Sequence, residues 1–203
     1  SQRKGPFVAV NCGAIPPRLV ERELFGHVKG AFTGADAHHD GLIRSAHRGT
    51  LFLDEIGDLE LGAQAALLRV LQEGEVRPVG SSRAVSVDIR LLSATHRDLD
   101  ALADQGAFRP DLLSRLAGFR LRLPPLRQRR EDLGLLVSRL LRARPAELTA
   151  SLRFEPDAAR SLFRYHWPLN IRELENCLRA ASVLARGEVI NDEHLSEQLR
   201  RGP

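Results

Sequence analysis

The sequence predicts an α/β core built on parallel strands, followed by an all-helical unit, and three observations carry that prediction. Short apolar runs alternate with helical patterns through the first part of the chain. One of these runs, Thr50-Leu51-Phe52-Leu53, ends in the adjacent carboxylates Asp54 and Glu55, the form of a buried parallel strand that delivers acids to its C-terminal edge. After Pro124-Pro125 the strand pattern stops and amphipathic helices follow one another. Residues 1–125 are therefore expected to form the α/β core and residues 126–203 a helical lid.

Taken in order, Phe7 to Cys12 reads as a strand bounded by Gly5-Pro6 and Gly13. Pro16-Pro17 opens a helix that runs to Phe25, with Leu19, Val20, Leu24 and Phe25 on one face. Residues 26–40 are rich in Gly, His and small residues and read as an exposed insertion. The Asp54 strand follows, then a helix from Ala63 to Glu73 stopped by Gly74. Glu75 to Val87 reads as a hairpin around Gly80-Ser81-Ser82, and Asp88 to Thr95 as an apolar strand containing Leu91 and Leu92. Phe119 to Leu123 is expected to be a further short strand.

In the second part, Leu133, Leu136, Val137, Leu140 and Leu141 recur at i, i+3, i+4, i+7 and i+8 behind Glu131 and Asp132, an amphipathic helix with acids at its start. Pro156 begins a helix ending near His166. Asn170 is expected to cap the next helix, with Glu173 completing a capping box ahead of the stripe Ile171, Leu174, Leu178, Ala181 and Ala185. A final helix covers about Asp192 to Leu199.

The 203 residues, 43% of them hydrophobic, suit one large domain or a domain with a small lid. No run approaches the roughly 18 apolar residues of a membrane span. Ser1 to Pro6 carries no secretory core, so the expectation is a soluble cytoplasmic protein with no membrane partner. Cys12 and Cys177 lack C-x-x-C spacing and read as buried reduced thiols. The formal charge is +4, and apart from Lys4 and Lys29 the positive charge is arginine. It clusters at Arg120, Arg122, Arg127, Arg129 and Arg130 and again at Arg200-Arg201. With only Trp167, Tyr165 and eight Phe there is no interleaving of aromatic and basic residues. That speaks against direct DNA binding by this segment and for a solvated or subunit-facing arginine surface.

Four groups of residues could carry chemistry. Consecutive carboxylates at a strand end let one face a magnesium ion and the other a reacting water, whereas an isolated Asp-Glu pair is usually an exposed acidic turn. Gly30-Ala31-Phe32-Thr33-Gly34-Ala35 sets a large aromatic between two glycines, and Phe32 is costly to expose unless a partner covers it. In Phe108-Arg109-Pro110-Asp111, Pro110 suits the first helical position, placing Arg109 at the helix entrance and Arg115 within it. Their six-residue separation is about 600° of helical rotation, so the guanidiniums point in different directions. Asn11, at a strand end, reads by itself as a residue satisfying local backbone groups.

Together with Trp167-Pro168-Leu169-Asn170-Ile171-Arg172-Glu173-Leu174, these motifs resemble, nearly end to end, the sigma-54-interacting AAA+ ATPase domain of bacterial enhancer-binding transcription activators. The resemblance implies an AAA+ P-loop-type core with ATP and Mg2+ as cofactors. It assigns Asp54 to magnesium, Glu55 to water activation, and Asn11 to holding Glu55 until the target engages. Arg109 and Arg115 would act in trans on a neighbouring subunit's nucleotide, and Arg172 would be the lid's nucleotide-sensing arginine. Gly30, Ala31, Phe32, Thr33, Gly34 and Ala35 would touch sigma-54, with Val79 to Arg83 as a second pore-side loop. The family pattern also implies a homo-oligomeric ring, a hexamer by analogy, that remodels the closed sigma-54 RNA polymerase–promoter complex. DNA would be bound through a separate domain outside this chain.

Two positions depart from the pattern. His96 stands where the family places Asn as a phosphate sensor, and Leu169 where it usually has Gly. The phosphate-cradling G-x-x-x-x-G-K-S/T loop is nowhere in these residues, so the expectation is a fragment whose parent continues upstream and which alone binds ATP poorly. The alternative is a degenerate, non-hydrolysing AAA+ module that acts in sigma binding or oligomerisation. A clamp loader or helicase would leave the hexapeptide without a purpose.

Overall fold

The computed structural model describes residues 3–145 and 152–201, the last of these by its backbone only. Ser1, Gln2 and the Arg201 side chain, which figure in the readings above, lie outside that description. The chain divides into two compact units, Ser1–Arg120 and Leu121–Pro203.

The first unit is organised around β2 (Thr50–Asp54), which pairs in parallel with β1 (Phe7–Asn11) on one side and β5 (Arg90–Ser93) on the other. Alternation along the strand turns Leu51 and Leu53 fully inward, onto a core shared with Val10, Leu24, Ile43, Leu67 and Phe108. Burying each such side chain contributes roughly 1.5–3 kcal/mol. The opposite face is only half covered. Phe52 stacks on Phe7 at 6.2 Å, and Phe7 itself stays 64% exposed. The strand is therefore buried on one face rather than on both.

Helix α1 (Pro17–Phe25) starts at its proline and buries Val20, Leu24 and Phe25. After the 26–40 loop come α2 (Leu42–Ser45), β2 and α3 (Leu61–Glu73). The last of these ends at Gly74 in the left-handed conformation, φ 68°. β3 (Glu75–Val76) and β4 (Val85–Ser86) form the antiparallel hairpin, then β5 leads to α4 (Leu99–Asp104) and α5 (Pro110–Leu116). The strand expected over Phe119 to Leu123 does not form: Phe119, Leu121 and Leu123 are 84%, 73% and 76% exposed on irregular backbone. The residues alternate as a strand would, but a strand needs a ladder partner, and none of the described strands pairs with them.

The second unit holds α6 (Leu133–Arg142), α7 (Pro156–Arg164), α8 (Asn170–Leu184) and α9 (Glu197–Arg201), with β6 (Arg153–Phe154) paired in parallel to β7 (Val189–Ile190). Its core is Trp167, Leu126, Leu133, Leu162, Leu174, Leu178 and Ile190. The Trp167 indole N–H donates to the Leu162 carbonyl at 3.0 Å, so the buried ring leaves no orphan donor. The expected last helix is broken in two: a short 3-10 turn at Asp192–His194, capped by Asn191, precedes α9.

The start of α8 also differs from expectation. Leu169 occupies the cap position, and the Asn170 side chain does not cap. Instead the Asn170 amide oxygen accepts from the Leu126 N–H at 3.0 Å, tying a preceding turn to the helix. Glu173 does reach back, accepting from the Leu169 N–H at 3.0 Å and from the Tyr165 hydroxyl at 2.9 Å. Leu169 has φ −92°, so the turn asks for no glycine there; the left-handed positions are Trp167 and Asn170.

Candidate functional site

Parallel pairing brings the C-terminal ends of β1, β2 and β5 together. Asn11 lies level with Asp54, and Leu53 with Ser93, so the residues that follow Asp54 and Ser93 leave the sheet side by side. Backbone bonds fasten this exit: Ala94 N–H donates to the Leu53 carbonyl at 2.9 Å, and Ile56 N–H to the Ala94 carbonyl at 3.1 Å.

Glu55 sits at the turn itself with φ 53° and ψ 47°. A left-handed conformation in a non-glycine residue costs on the order of 1–3 kcal/mol and persists only where neighbours enforce it. Here the Asp54 carboxylate accepts from the Glu55 N–H at 3.1 Å. On the other side, Glu55 Oε2 meets the His96 ring Nδ1 at 2.8 Å and the His96 backbone N–H at 3.3 Å. His96 is itself set by its neighbour. Arg97 donates to the Gly57 carbonyl at 3.0 Å and to Asp58 at 2.9 Å, across the same turn. The Asn11 side-chain oxygen accepts from the Ala14 N–H at 3.2 Å, capping the short turn after β1, which is the local backbone role.

Cys12 is buried within the electrostatic reach of these acids. Burial, then the charges of Asp54 and Asp58, push its thiol up to about 12, so it is an inert packing group. Cys177 in the second unit is likewise pushed up to about 11, first by burial and then by Glu173.

Arg109 and Arg115 take separate partners. The Arg109 guanidinium forms a two-pronged pair with Asp111, through Nε at 3.0 Å and a terminal nitrogen at 2.6 Å. That bond holds Asp111 below, and Arg109 above, its ordinary range. Arg115 donates to the Leu71 carbonyl of α3 at 3.0 Å. Sequence reasoning missed what holds this segment in place. Gln64, fully buried on α3, accepts from the Arg109 N–H at 2.8 Å and donates to the carbonyls of Leu59 at 2.7 Å and Ala107 at 3.1 Å. The signal was present, since a lone amide on an otherwise apolar helix face must find partners. Arg172 lies exposed in the first turn of α8.

The Gly30–Ala35 tip is less bare than the sequence suggests. His27 at its base pairs with His39 on one side and with Val79 of the hairpin on the other. Phe32 folds back to half-burial, its ring 5.0 Å from that of His27 and 5.5 Å beneath the Arg22 guanidinium. Gly30 and Gly34 adopt φ +80° and +91°, a backbone that only glycine takes without strain. Gly80 packs so closely on Ala31 that a Cβ there would lie 2.6 Å from the Ala31 Cβ. His38 pairs with Asp40 at 2.8 Å.

A parallel sheet that gathers acids at the C-terminal ends of its strands, succeeded by a helical unit, defines the class as an α/β ligand-binding fold. Comparison with known proteins narrows it. Residues 1–122 match the model of the sigma-54 interaction domain, and residues 127–203 that of an AAA+ ATPase lid domain. The chain belongs to the sigma-54 interaction domain family.

Among similar proteins, the DNA-binding transcriptional regulator NtrC of Azospirillum brasilense is 52% identical over 93% of this chain and 39% of its own length. Regulatory protein AtoC of Escherichia coli K12 is 48% identical over 98% of this chain and 43% of its own. The chain thus spans about two fifths of these relatives. NtrX of Brucella abortus in complex with ATP superposes with a TM-score of 0.84 at 34% identity, over 95% of this chain and 42% of that structure.

Proposed function

We propose that this chain is the working part of a ring-forming ATPase that couples ATP hydrolysis to remodelling of the sigma-54 RNA polymerase closed complex in the bacterial cytoplasm. The observation that carries the reading is the strained step at the end of β2, where two carboxylates leave adjacent residues and Glu55 is held in a left-handed conformation. A nucleotide-borne magnesium ion takes only one or two protein carboxylates. Asp54 fits that need, because its Oδ1 is used by the Glu55 N–H while Oδ2 has no hydrogen-bond partner among the described residues. The bound ion would neutralise developing phosphate charge.

In this reading Glu55 orients and polarises the attacking water, and Asn11 and His96 border it. Arg109 and Arg115 serve a neighbouring subunit's site, where an arginine supplied in trans is worth on the order of 10³–10⁵ in rate. Arg109 must then exchange Asp111 for phosphate on assembly, so a lone subunit turns over poorly. Arg172 reads nucleotide from the lid. Gly30, Ala31, Phe32, Thr33, Gly34 and Ala35 meet sigma-54, and DNA is reached through a separate domain. Family membership, and an ATP complex of a relative with the same fold, support hydrolysis over a non-hydrolysing module.

In the complete protein, Glu55→Gln is expected to bind ATP and lose turnover by about 10²–10⁴-fold. Thr33→Ala is expected to keep turnover and lose sigma-54 in a pull-down with a transition-state analogue of ATP. Intact turnover in the first variant would overturn the role of Glu55, and intact promoter opening in the second that of the loop.

A further inference from the structure

The contact between His96 and Glu55 fixes more than a position. A carboxylate only accepts hydrogen bonds, so the 2.8 Å approach of Nδ1 to Glu55 Oε2 places a proton on Nδ1. A neutral imidazole carries one N–H. With that N–H given to Glu55, the remaining ring nitrogen, Nε2, presents a lone pair, and a lone pair facing a phosphate oxygen is acceptor against acceptor. The ring is 74% exposed and Glu55 28%, so the tie lies at the mouth of the turn and not in the core. Its geometry is enforced from both sides. The His96 amide donates to the same carboxylate oxygen, and Arg97 pins the adjoining backbone to Gly57 and Asp58.

We propose that His96 is a positioning residue that works through Glu55, holding one carboxylate oxygen in place, and does not donate to phosphate itself. This rests on Glu55 being the group that orients water. It would separate His96 from an asparagine in its place. An asparagine amide has two N–H bonds and can serve carboxylate and phosphate together, whereas the neutral ring must choose.

The first test needs no turnover. With the pH raised until the ring ¹⁵N shifts mark a neutral imidazole, those of His96 in this chain are expected to show the Nδ1–H tautomer, and Glu55→Ala should return it to Nε2–H. An Nε2–H ring in the unaltered chain overturns the proposal, as does a tautomer indifferent to Glu55→Ala. In the complete protein, His96→Ala should lower kcat on the order of tenfold to a hundredfold. KM for ATP, and Kd for a non-hydrolysed analogue, should stay within about twofold. His96→Asn, which puts an amide N–H where Nδ1 was, should restore kcat. A weakened Kd with kcat intact assigns His96 to phosphate and sinks the inference. If Glu55→Ala leaves turnover unchanged, the reading of Glu55 fails instead, and the tautomer still decides whether the tie exists.

Discussion

At the end of β2 the chain is held by directional bonds, with Glu55 kept in a costly backbone conformation between the Asp54 carboxylate and His96. Some residues earlier, the Gly30–Ala35 tip closes on its own backbone through the Gly30 and Ala35 amides, but its Phe32 side chain rests on contacts of another kind: a histidine ring against it and a guanidinium over it, beside glycines around which a Cβ would meet nothing within 4 Å. The first arrangement resists displacement because several directional bonds must break together, each with a net worth of about 0.5–1.5 kcal/mol. The second yields cheaply, because an exposed cation–π contact is worth only about 0.5–1 kcal/mol. Positioning for chemistry needs the stiff arrangement, and an aromatic that must leave its resting place needs the soft one.

The contrast can be broken hardest from beneath the stiff region. Leu53→Ala removes a fully buried side chain next to the carboxylates and should cost about 2–5 kcal/mol, read by denaturant unfolding. A cost below 1 kcal/mol would mean that the strand end is not the rigid element argued for. Glycine substitutions locate the border between the two regions. Gly26→Ala would put a Cβ 2.3 Å from the His39 carbonyl at φ +80° and should destabilise by about 3 kcal/mol. Gly34→Ala meets open space and should cost only about 1 kcal/mol of backbone strain. Equal costs would erase the distinction between a fixed loop base and a loose tip.

A gentler probe is Arg22→Ala, which takes the guanidinium off Phe32. Hydrogen exchange at the Gly30 and Ala35 amides, bonded now to the Ala35 and Phe32 carbonyls, should speed up about two- to fivefold while the β2 amides keep their rates. Faster exchange in β2 would show that loop and strand are not separate. The smallest effect concerns Arg109 and Asp111. The guanidinium holds the Asp111 carboxyl below its ordinary 3.8, so the pair's contribution is present above that value and fades as pH falls through the lowered one. An NMR titration of Asp111 should show the depression, and Arg109→Ala should abolish it. Both partners are open to solvent, so added salt should also shrink it.

How much of this was legible beforehand depends on whether the cause was local. Pro16-Pro17 and Gly74 mark helix ends by their own backbone chemistry, and α1 and α3 begin and end there to within a residue or two. The apolar runs ending in Asn11 and Asp54 could each be read as a strand from their own residues, whereas the parallel register that sets Asn11 level with Asp54 could not. The failures share a non-local cause. Phe119 to Leu123 alternates correctly but lacks a ladder partner among the described strands. Asn170 has the composition of a cap, but its amide oxygen accepts from the N–H of Leu126, distant in sequence. The tie from His96 to Glu55 requires knowing that β5 lies beside β2, which the spacing of motifs does not state.

Helix α3 has a consequence of its own. It carries Gln64, which clasps the backbone of Arg109, and the Leu71 carbonyl, which receives Arg115. At its far end it runs straight through Gly74 into the hairpin whose Val79 backs the loop base at His27. Both arginines and the underside of the aromatic tip are thus geared to one rod. A shift of that helix would carry the contacts of both arginines with it.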